Sequence, residues 1–248
     1  MEFAIEWHDR LGSTNAYLKE RITSIGSLRN GTVVAARDQT AGRGRQDRTW
    51  LSTPGTNLCF SLFIESDAPP ASVSSLTMAA ALAVTEMLNG LRIPAAPKWP
   101  NDVLVGKRKI CGILSERVET PSGMAVAKRQ SGIIIGIGLN VNMSTEEAAA
   151  IDRPATSMLI ESGRAHEVNQ TLETLLPHLS YWIGRWNEGG FASLRETWTQ
   201  KAGPMGKALS VHDGDNRKSG TLAGFGEHGE LLLQTDRGIE TIWSGDVS

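Results

Sequence analysis

An arginine- and glycine-rich segment is the most chemically suggestive part of the chain. The segment QTAGRGRQDRTW, from Gln39 to Trp50, places three arginines around two glycines and ends on a tryptophan. Glycine loses more conformational freedom on folding than any other residue, so such a loop orders most readily around a partner. The guanidinium group pairs with carboxylate and phosphate oxygens. The segment therefore predicts a loop that binds a small anion, and a solvated charged loop is the alternative.

A second unusual segment, KWPNDVLVGKRKICG, runs from Lys98 to Gly112. Asn101 and Asp102 supply oxygen atoms near the start of a predicted strand. Alternation along a strand puts Lys107 and Lys109 on the same face. A lysine beside an arginine loop can act as a positive point charge that bridges a carboxylate and a phosphate. The alternative is a hairpin whose charged face is simply solvated.

A third segment, GIGLNVNM from Gly136 to Met143, ends an apolar run with two asparagines, Asn140 and Asn142. A buried asparagine must form hydrogen bonds or coordinate a ligand. The two side chains therefore either contribute to a binding site or only cap the end of a strand.

Other familiar motifs are absent from the sequence or lack their structural context. GFGEHG, from Gly224 to Gly229, matches G-x-G-x-x-G, but the strand-like LLLQT follows it where a dinucleotide site needs a helix. We therefore predict two tight turns there. The sequence contains no G-x-x-x-x-G-K-[ST] phosphate loop and no G-x-S-x-G nucleophile motif. The five histidines share no metal-ligand spacing, so a structural zinc site is not expected.

Composition narrows the class of protein further. The chain has 248 residues, 40% hydrophobic and 21% charged, which fits one large domain or one domain with a small module. A net charge of −2 and a pI near 6.2 argue against a nucleic-acid partner. Cys59 and Cys111 lie in apolar runs and predict buried thiols in a reducing cytoplasm. We expect neither a signal peptide nor a membrane span, because no apolar run approaches ~20 residues.

The elements that must position these residues are strand-rich in the first part of the chain. The sequence predicts a helix that begins at Ser13 or Thr14, strands that begin at Thr32 and Asn57, and a helix over residues 71–91. The GKR tripeptide predicts a hairpin turn between Val105 and Lys109.

The second part of the chain changes character. Residues 145–202 carry amphipathic helical patterns, and Gly203 and Pro204 then predict a helix end and a domain boundary. The remaining residues read as short strands separated by Gly, Asp and Asn turns, which predicts a small barrel of about five strands.

Taken together, these segments resemble the biotin protein ligase family. The matching pieces are STN at Ser13–Asn15, QTAGRGRQDRTW, KWPNDVLVGKRKICGILSE, GIGLNVN and the closing β-rich tail, in the family's order and spacing. The resemblance covers nearly the whole chain. It implies an α+β fold, with a catalytic domain related to class II aminoacyl-tRNA synthetases over residues 1–203 and an SH3-like β-barrel over residues 204–248.

The resemblance also implies a two-step reaction. The carboxylate of biotin attacks the α-phosphate of ATP in the presence of Mg²⁺, giving biotinyl-5′-AMP and pyrophosphate. A lysine on the biotin carboxyl carrier domain of a biotin-dependent carboxylase then attacks the acyl carbon and releases AMP. Mg²⁺ is expected to arrive with ATP, without a site built from protein ligands alone. The protein is expected in the cytoplasm, and a homodimer is left open.

Matching positions imply the site residues. The biotin and adenylate pocket is expected from Ser13, Thr14, Asn15, Gln39, Gly42, Arg43, Gly44, Arg45, Lys109 and Gly112. The residues expected on the ATP and Mg²⁺ side are Trp99, Asn101, Asp102 and Asn140, and those expected to anchor the loop are Arg48 and Trp50. Lys109 is expected to stabilise the transition state of the first step together with Arg45. Asp102 is expected to accept the proton of the carrier lysine.

The sequence departs from the family pattern at Asp47, where many relatives have a second glycine, which implies a stiffer and less positive loop. The STN segment begins at Ser13 and leaves no room for the N-terminal helix-turn-helix domain of some relatives, so we expect no operator binding. Two alternatives are a lipoate or octanoate ligase, although those relatives lack the GRGR loop, and a biotin-responsive regulator.

Overall fold

The structure is a computed structural model, and it describes residues 1–46, 48–122, 130–203, 205–214 and 216–248. The expectations for Asp47 and Pro204 fall outside the described residues.

A seven-stranded mixed sheet forms the larger part of the molecule. Its strands follow the order β1-β2-β3-β7-β6-β5-β4, in which β1 and β2 are parallel and all other neighbours are antiparallel. The strands are β1 (Ala4–Leu11), β2 (Thr32–Gln39), β3 (Leu58–Glu65), β4 (Ala95–Lys98), β5 (Asp102–Val105), β6 (Arg108–Glu119) and β7 (Ser131–Leu139).

Helices cover both faces of this sheet. They are α1 (Thr14–Ile25), α2 (Val73–Gly90), α3 (Thr145–Ala149), α4 (Met158–Ser162), α5 (Val168–Gly189) and α6 (Arg195–Lys201). The predicted cap of α1 is confirmed, because the hydroxyl of Ser13 accepts a hydrogen bond from the amide of Ala16 at 3.4 Å. The larger core lies between the sheet and the α2–α5 layer, and a smaller core lies under α1.

The alternation of β7 explains where the fold leaves space. Ile133, Ile135 and Ile137 point into the larger core, whereas Ile134 points into the core under α1. Gly136 and Gly138 lie on the same face as Ile134, since successive strand residues face opposite sides. Two side chains are therefore missing from that face of the sheet, beyond the end of the smaller core.

A second sheet contains five antiparallel strands in the order β11-β10-β9-β8-β12. They are β8 (Ala208–Asp213), β9 (Asn216–Phe225), β10 (Leu231–Thr235), β11 (Gly238–Ile242) and β12 (Asp246–Val247). The predicted number of strands is confirmed, but the predicted barrel is not, because in the described pairings β11 and β12 form the two unpaired ends of an open sheet. Its apolar residues continue the larger core, and Phe225 packs edge-on against Phe191 and Trp198.

One of the two turns predicted at GFGEHG is confirmed, between Gly226 and Gly229, where the amide of Gly229 donates to the carbonyl of Gly226 at 3.4 Å. The other is wrong, because Gly224 lies in β9 and pairs with Leu232 of β10. Gly229 adopts a positive φ of 87° immediately before β10 begins, so no helix follows the glycines. The expectation about apolar runs needs correction: the helical segment Pro70–Gly90 passes a length and composition test for a membrane span. Of its apolar 18-residue stretch, 72% is buried inside the protein, where the helix packs in the larger core.

Candidate active site

A cavity of about 530 Å³ opens above the glycines of β7. Its walls come from the arginine loop at residues 39–50, the β5–β6 hairpin, the start of α1, the segment at residues 151–155 and the last strand of the small sheet. The cavity therefore joins all three segments that the sequence singled out.

Glycine is required on the sheet because other side chains lie directly on its backbone. A Cβ atom added to Gly138 would lie 2.4 Å from the Trp50 ring, and one added to Gly136 would lie 2.3 Å from Oδ1 of Asn15. A Cβ on Gly112 would lie 2.9 Å from the Trp50 ring and 3.0 Å from Nζ of Lys109. The missing side chains are thus what allow Trp50, Asn15 and Lys109 to reach the sheet.

The arginine loop closes on itself through backbone hydrogen bonds. The amide of Gly44 donates to the carbonyl of Arg48 at 2.7 Å, and the amide of Trp50 donates to the carbonyl of Gly42 at 2.9 Å. A Cβ on Gly42 would lie 2.5 Å from the carbonyl oxygen of Trp50. Gly42 therefore permits the close approach of the two loop ends.

Lys109 and Asp102 face each other across the β5–β6 hairpin. Nζ of Lys109 lies 2.6 Å from Oδ1 of Asp102, and 5.6 Å from the centre of the Trp50 ring. The amide of Lys109 donates to the carbonyl of Pro154, and the carbonyl of Lys109 accepts from the amide of Thr156, so the lysine backbone is fixed on both sides. The ammonium group is consequently held at a defined point of the cavity wall.

Two loop arginines are directed by oxygen atoms from other elements. A terminal nitrogen of Arg45 donates to Oδ1 of Asn101 at 3.2 Å, and burial lowers the pKa of Arg45, although Asp246 and Asp102 oppose that effect. Arg48 lies 2.7 Å from Asp246, and its hydrogen bond to that carboxylate raises the pKa of Arg48. Both groups carry their charge at neutral pH, since arginine deprotonates only at far higher pH.

The other end of the cavity is lined mainly by amides and hydroxyls, with the carboxylate of Glu116 behind them. Nδ2 of Asn15 donates to a carboxylate oxygen of Glu116 at 2.8 Å, while Oδ1 of Asn15 accepts from the hydroxyl of Ser61 at 2.5 Å. Oε1 of Gln39 accepts from both the amide and the hydroxyl of Thr14, at 3.0 and 3.2 Å. These bonds fix which amide atoms face the cavity.

Most of the predicted site residues line this cavity. They are Ser13, Thr14, Asn15, Gln39, Arg43, Gly44, Arg45, Arg48, Trp50, Asn101, Asp102, Lys109, Gly112 and Asn140. Asn140 is buried, and its side chain donates to the carbonyl of Thr156 at 3.0 Å. Asn142 instead bonds the backbone of His166 through both amide atoms, as the strand-end alternative predicted.

Two predicted residues lie elsewhere. Trp99 belongs to the larger core, and its indole N–H donates to the carbonyl of Gly229 at 3.0 Å. This corrects its expected place on the ATP side: the ring fills the junction between the two sheets instead. Gly42 also lies behind the cavity wall, where it serves the loop closure described above.

Sequence reasoning missed several wall residues. Asp152 and Arg153 come from the connection between α3 and α4, and Asp246 comes from the last strand. Glu116 lies just behind the wall and pairs with Arg43 at 3.0 Å. Glu116 stood within the quoted KWPNDVLVGKRKICGILSE segment, but its charge alone did not distinguish it from the other charged residues of a strand.

The cavity carries positive charge although the chain is acidic. Among the described residues that line it, seven are cationic and three are carboxylates, against a formal net charge of −2 for the chain. The cations are Arg43, Arg45, Arg48, Lys98, Lys107, Lys109 and Arg153. Such a cavity concentrates and binds anions.

Among the described residues, neither a metal-binding cluster nor a reactive thiol is found. Within the described part of the chain, no cluster of three or more His, Cys, Asp or Glu side chains could hold a metal ion. Cys59 and Cys111 are free and buried, as predicted. Burial raises the pKa of Cys59 to about 11 and also raises that of Cys111, so neither thiol ionises at neutral pH.

Comparison with known proteins yields several close similarities. The model of the biotin/lipoate A/B protein ligase family matches residues 7–140. The chain is 32% identical over 244 residues to the biotin--[acetyl-CoA-carboxylase] ligase of Paracoccus denitrificans, covering 96% of this chain and 97% of that protein. It is 31% identical over 243 residues to the bifunctional ligase/repressor BirA of Bacillus subtilis, covering 97% of this chain and 72% of that protein.

Solved structures show the same similarity. The structure of a biotin protein ligase from Aquifex aeolicus in complex with biotin and ATP superimposes with a TM-score of 0.79 at 29% identity. The alignment covers 98% of this chain and 97% of that one.

Proposed function

Because the chain belongs to the biotin/lipoate A/B protein ligase family, we propose that it is a biotin–protein ligase that uses ATP. It attaches biotin to one lysine of a biotin carboxyl carrier domain, through biotinyl-5′-AMP. The observation that carries this proposal is the convergence of Lys109, Arg43 and Arg45 on one cavity with a positive excess. Related proteins are biotin--[acetyl-CoA-carboxylase] ligases, and a similar structure holds biotin and ATP.

The first step brings two anions together, and this chain supplies the opposing charge. The carboxylate of biotin is already ionised at neutral pH, so its attack on phosphorus needs no general base. Fixed cations lower the barrier by stabilising charge where it develops on the phosphoryl oxygens. We assign that role to Lys109, held by Asp102, and to Arg45, held by Asn101. Mg²⁺ reaches the site as the ATP complex, on the side of Asn101, Asp102 and Asn140.

The uncharged end of the cavity suits the ureido ring of biotin, which offers one carbonyl and two N–H groups. Within the described residues, Nε2 of Gln39 donates no hydrogen bond and can reach a carbonyl. Oδ1 of Asn15 accepts from Ser61 and has a second lone pair for an N–H donor. A flat amide-like group is therefore recognised there, with Ser13, Thr14, Gly44 and Gly112 shaping the walls.

The second step requires the carrier lysine to lose a proton before it attacks the acyl carbon. We assign Asp102 as the proton acceptor, because its carboxylate lines the cavity beside Lys109. The arginine loop, anchored by Arg48 and Trp50, excludes water from the mixed anhydride between the two steps.

The proposal also covers organisation and partners. Residues 1–203 form the catalytic domain and residues 204–248 an SH3-like module, which the separate five-stranded sheet supports. The protein acts in the cytoplasm on a carrier domain and does not bind nucleic acid, in keeping with its net charge of −2. A homodimer is compatible with this role. Neither a lipoate or octanoate ligase nor a biotin-responsive regulator has a specific observation in its favour.

Intact-mass spectrometry tests the function directly. A purified carboxyl carrier domain is incubated with this protein, biotin, ATP and Mg²⁺, and a second reaction contains lipoate in place of biotin. We expect a gain of one biotin on one lysine, which disappears when ATP is omitted or when the carrier lysine is replaced. Formation of free biotinyl-5′-AMP without transfer would mean that the carrier is the wrong one. Absence of adenylate, or preferential attachment of lipoate, would overturn the proposal.

A further inference from the structure

One carboxylate of the small sheet connects three segments that are far apart in the chain. A carboxylate oxygen of Asp246 lies 2.7 Å from a terminal nitrogen of Arg48 and 3.3 Å from one of Arg153. Arg48 belongs to the arginine loop, and Arg153 to the connection between α3 and α4. All three side chains line the cavity. The C-terminal strand thus reaches the proposed adenylate site directly.

The backbone fixes this carboxylate in place. Asp246 pairs with His212 and Val247 pairs with Val211, which makes β12 a two-residue strand against β8. Ser248 extends the pairing, because its amide and carbonyl both bond to Ser210 at 2.9 Å. Because the backbone is already fixed by this pairing, binding of the Asp246 side chain to a partner costs no further backbone freedom.

A second contact joins the same sheet to the loop. Nε2 of Gln46 donates to Oδ1 of Asp213 at 3.3 Å, and the hydroxyl of Ser244 donates to Oδ2 of Asp213, also at 3.3 Å. Two carboxylates of the small sheet therefore contact the arginine loop, one at Gln46 and one at Arg48.

Asp246 is ionised in neutral solution and accepts a proton less readily than an ordinary carboxylate. Partial burial alone would raise the pKa of Asp246, but the hydrogen bonds and charges of Arg48 and Arg153 outweigh it and hold the pKa below its usual range. Its two cationic partners also neutralise it, so the positive character of the cavity survives its presence. The role of Asp246 is therefore to orient Arg48 and Arg153.

We propose that Asp246 is a positioning residue for the ligase reaction: it holds Arg48, and with it the arginine loop, over the adenylate. The inference rests on the proposed function. Retention of a reactive intermediate depends on how much of the time the loop lies over the cavity. Asp246 increases that fraction from the other sheet, so the small sheet acts on the intermediate through Arg48.

The first test needs no substrate. The loop offers trypsin three arginyl bonds, after Arg43, Arg45 and Arg48, and cleavage reports the open population when opening is fast. Asp246→Asn keeps the shape and removes the charge. We expect the loop of Asp246→Asn to be cleaved about tenfold faster than that of the wild type. This factor is at the low end of what the loss of a charge-assisted hydrogen bond produces, because the side chains of Arg48 and Asp246 are both more than a third exposed.

The matched control is Glu240→Gln. Glu240 pairs with Lys218 at 2.7 Å in the same small sheet and does not line the cavity. Its loss should leave loop cleavage unchanged. Loop cleavage of Asp246→Asn at the wild-type rate, or equal acceleration in both variants, would overturn the positioning role.

The second test measures the intermediate. Biotinyl-5′-AMP is formed on each variant, and its release is followed in a chase and as labelling of bystander lysines. We expect Asp246→Asn to release adenylate about tenfold faster, and the double variant with Arg48→Gln to release it no faster than Arg48→Gln alone. Additive effects, or tighter ATP binding with unchanged release, would contradict the inference. If the wild-type protein forms no adenylate, the proposed function fails, while the cleavage comparison still decides the role of Asp246.

Discussion

Replacement of Gly138 by alanine should selectively weaken the ordered arginine loop. The new Cβ atom would lie 2.4 Å from Cε2 of Trp50 and 2.7 Å from its Cζ2 and Nε1. Non-bonded carbon atoms prefer roughly 3.5–4.0 Å, so the indole ring would have to retreat by more than about 1 Å. Trp50 is tied to Gly42 by a backbone hydrogen bond, and any shift of the ring therefore strains the end of the loop.

The size of the effect follows from overpacking. Forcing one methyl group into a packed contact typically costs about 1–3 kcal/mol. The folded protein can relieve most of this strain by releasing Trp50 and the loop, whereas the ligand-bound form cannot. We therefore expect biotin to bind roughly tenfold to hundredfold more weakly, since each ~1.4 kcal/mol is a factor of ten. The thermal midpoint should change much less.

Isothermal titration with biotin and a thermal melt separate these two quantities. Gly184→Ala is the control, because an added Cβ at Gly184 in α5 meets no atom within 4 Å. It should stabilise the protein by roughly 0.5–1 kcal/mol, as alanine does in a helix interior, and leave biotin affinity unchanged.

A double-variant cycle tests the cause. With Trp50→Leu already present, Gly138→Ala should weaken biotin binding much less, because the indole ring is no longer there to collide. Wild-type affinity in Gly138→Ala, or an undiminished loss in the Trp50→Leu background, would refute the account of how Trp50 and the sheet fit together.

Three further changes test other parts of the site. Lys109→Ala should slow adenylate formation by at least about 10²-fold while the thermal melt persists, measured as pyrophosphate release, and near-normal release would contradict its assignment. Arg45→Gly should increase the labelling of bystander lysines by escaped adenylate, and unchanged labelling would contradict the shielding role of the loop. Burial raises the pKa of the Cys59 thiol to about 11. The stability that comes from keeping this thiol neutral in the folded state is therefore fully present below pH ~9 and is lost as the pH rises towards 11. Cys59→Ala should therefore lose less stability than the wild type between pH 9 and 11, by roughly 2–3 kcal/mol in urea titrations, and identical pH profiles would contradict the burial effect.

Local sequence patterns predicted those helices and strands whose own residues show a clear helical or strand pattern. The predicted start of β2 at Thr32 coincides with the observed strand. An apolar, β-branched run begins at this residue and leads into the polar arginine loop. The capped start of α1 at Ser13 was equally clear. In contrast, β1 was missed, since three of the eight residues of AIEWHDRL are charged and the strand lies at the sheet edge, where only its pairing with β2 defines it. The four residues of β4 contain Pro97 and are too short to show alternation.

The site residues divide in the same way, into those that a local motif predicts and those that only long-range contacts bring to the cavity. Residues inside the recognised motifs, such as Arg43 and Lys109, were found because type and spacing occur together in one segment. Asp246 and Arg153 were missed because their importance arises from an ion pair across 93 positions of the chain. Trp99 was misplaced for a related reason: it stands inside a motif, but packing between the two sheets determines where its ring points.

Replacement of the cavity carboxylates tests whether the total positive charge of the cavity or the placement of its charges determines the rate of adenylate formation. Asp102 and Asp246 each lie within 2.7 Å of a cation that the proposed chemistry uses. If the total field determined the rate, neutralising either carboxylate would add one unit to the positive excess and would strengthen ATP binding. If placement determined it, the same change would release Lys109 or Arg48 from a fixed position and lower the rate despite the stronger field, because preorganised charges need no rearrangement during the reaction. We expect the second outcome for Asp102→Asn, with ATP affinity unchanged or higher and adenylate formation slower, as measured by equilibrium binding and single-turnover kinetics. A faster single turnover would show that field strength outweighs geometry in this cavity.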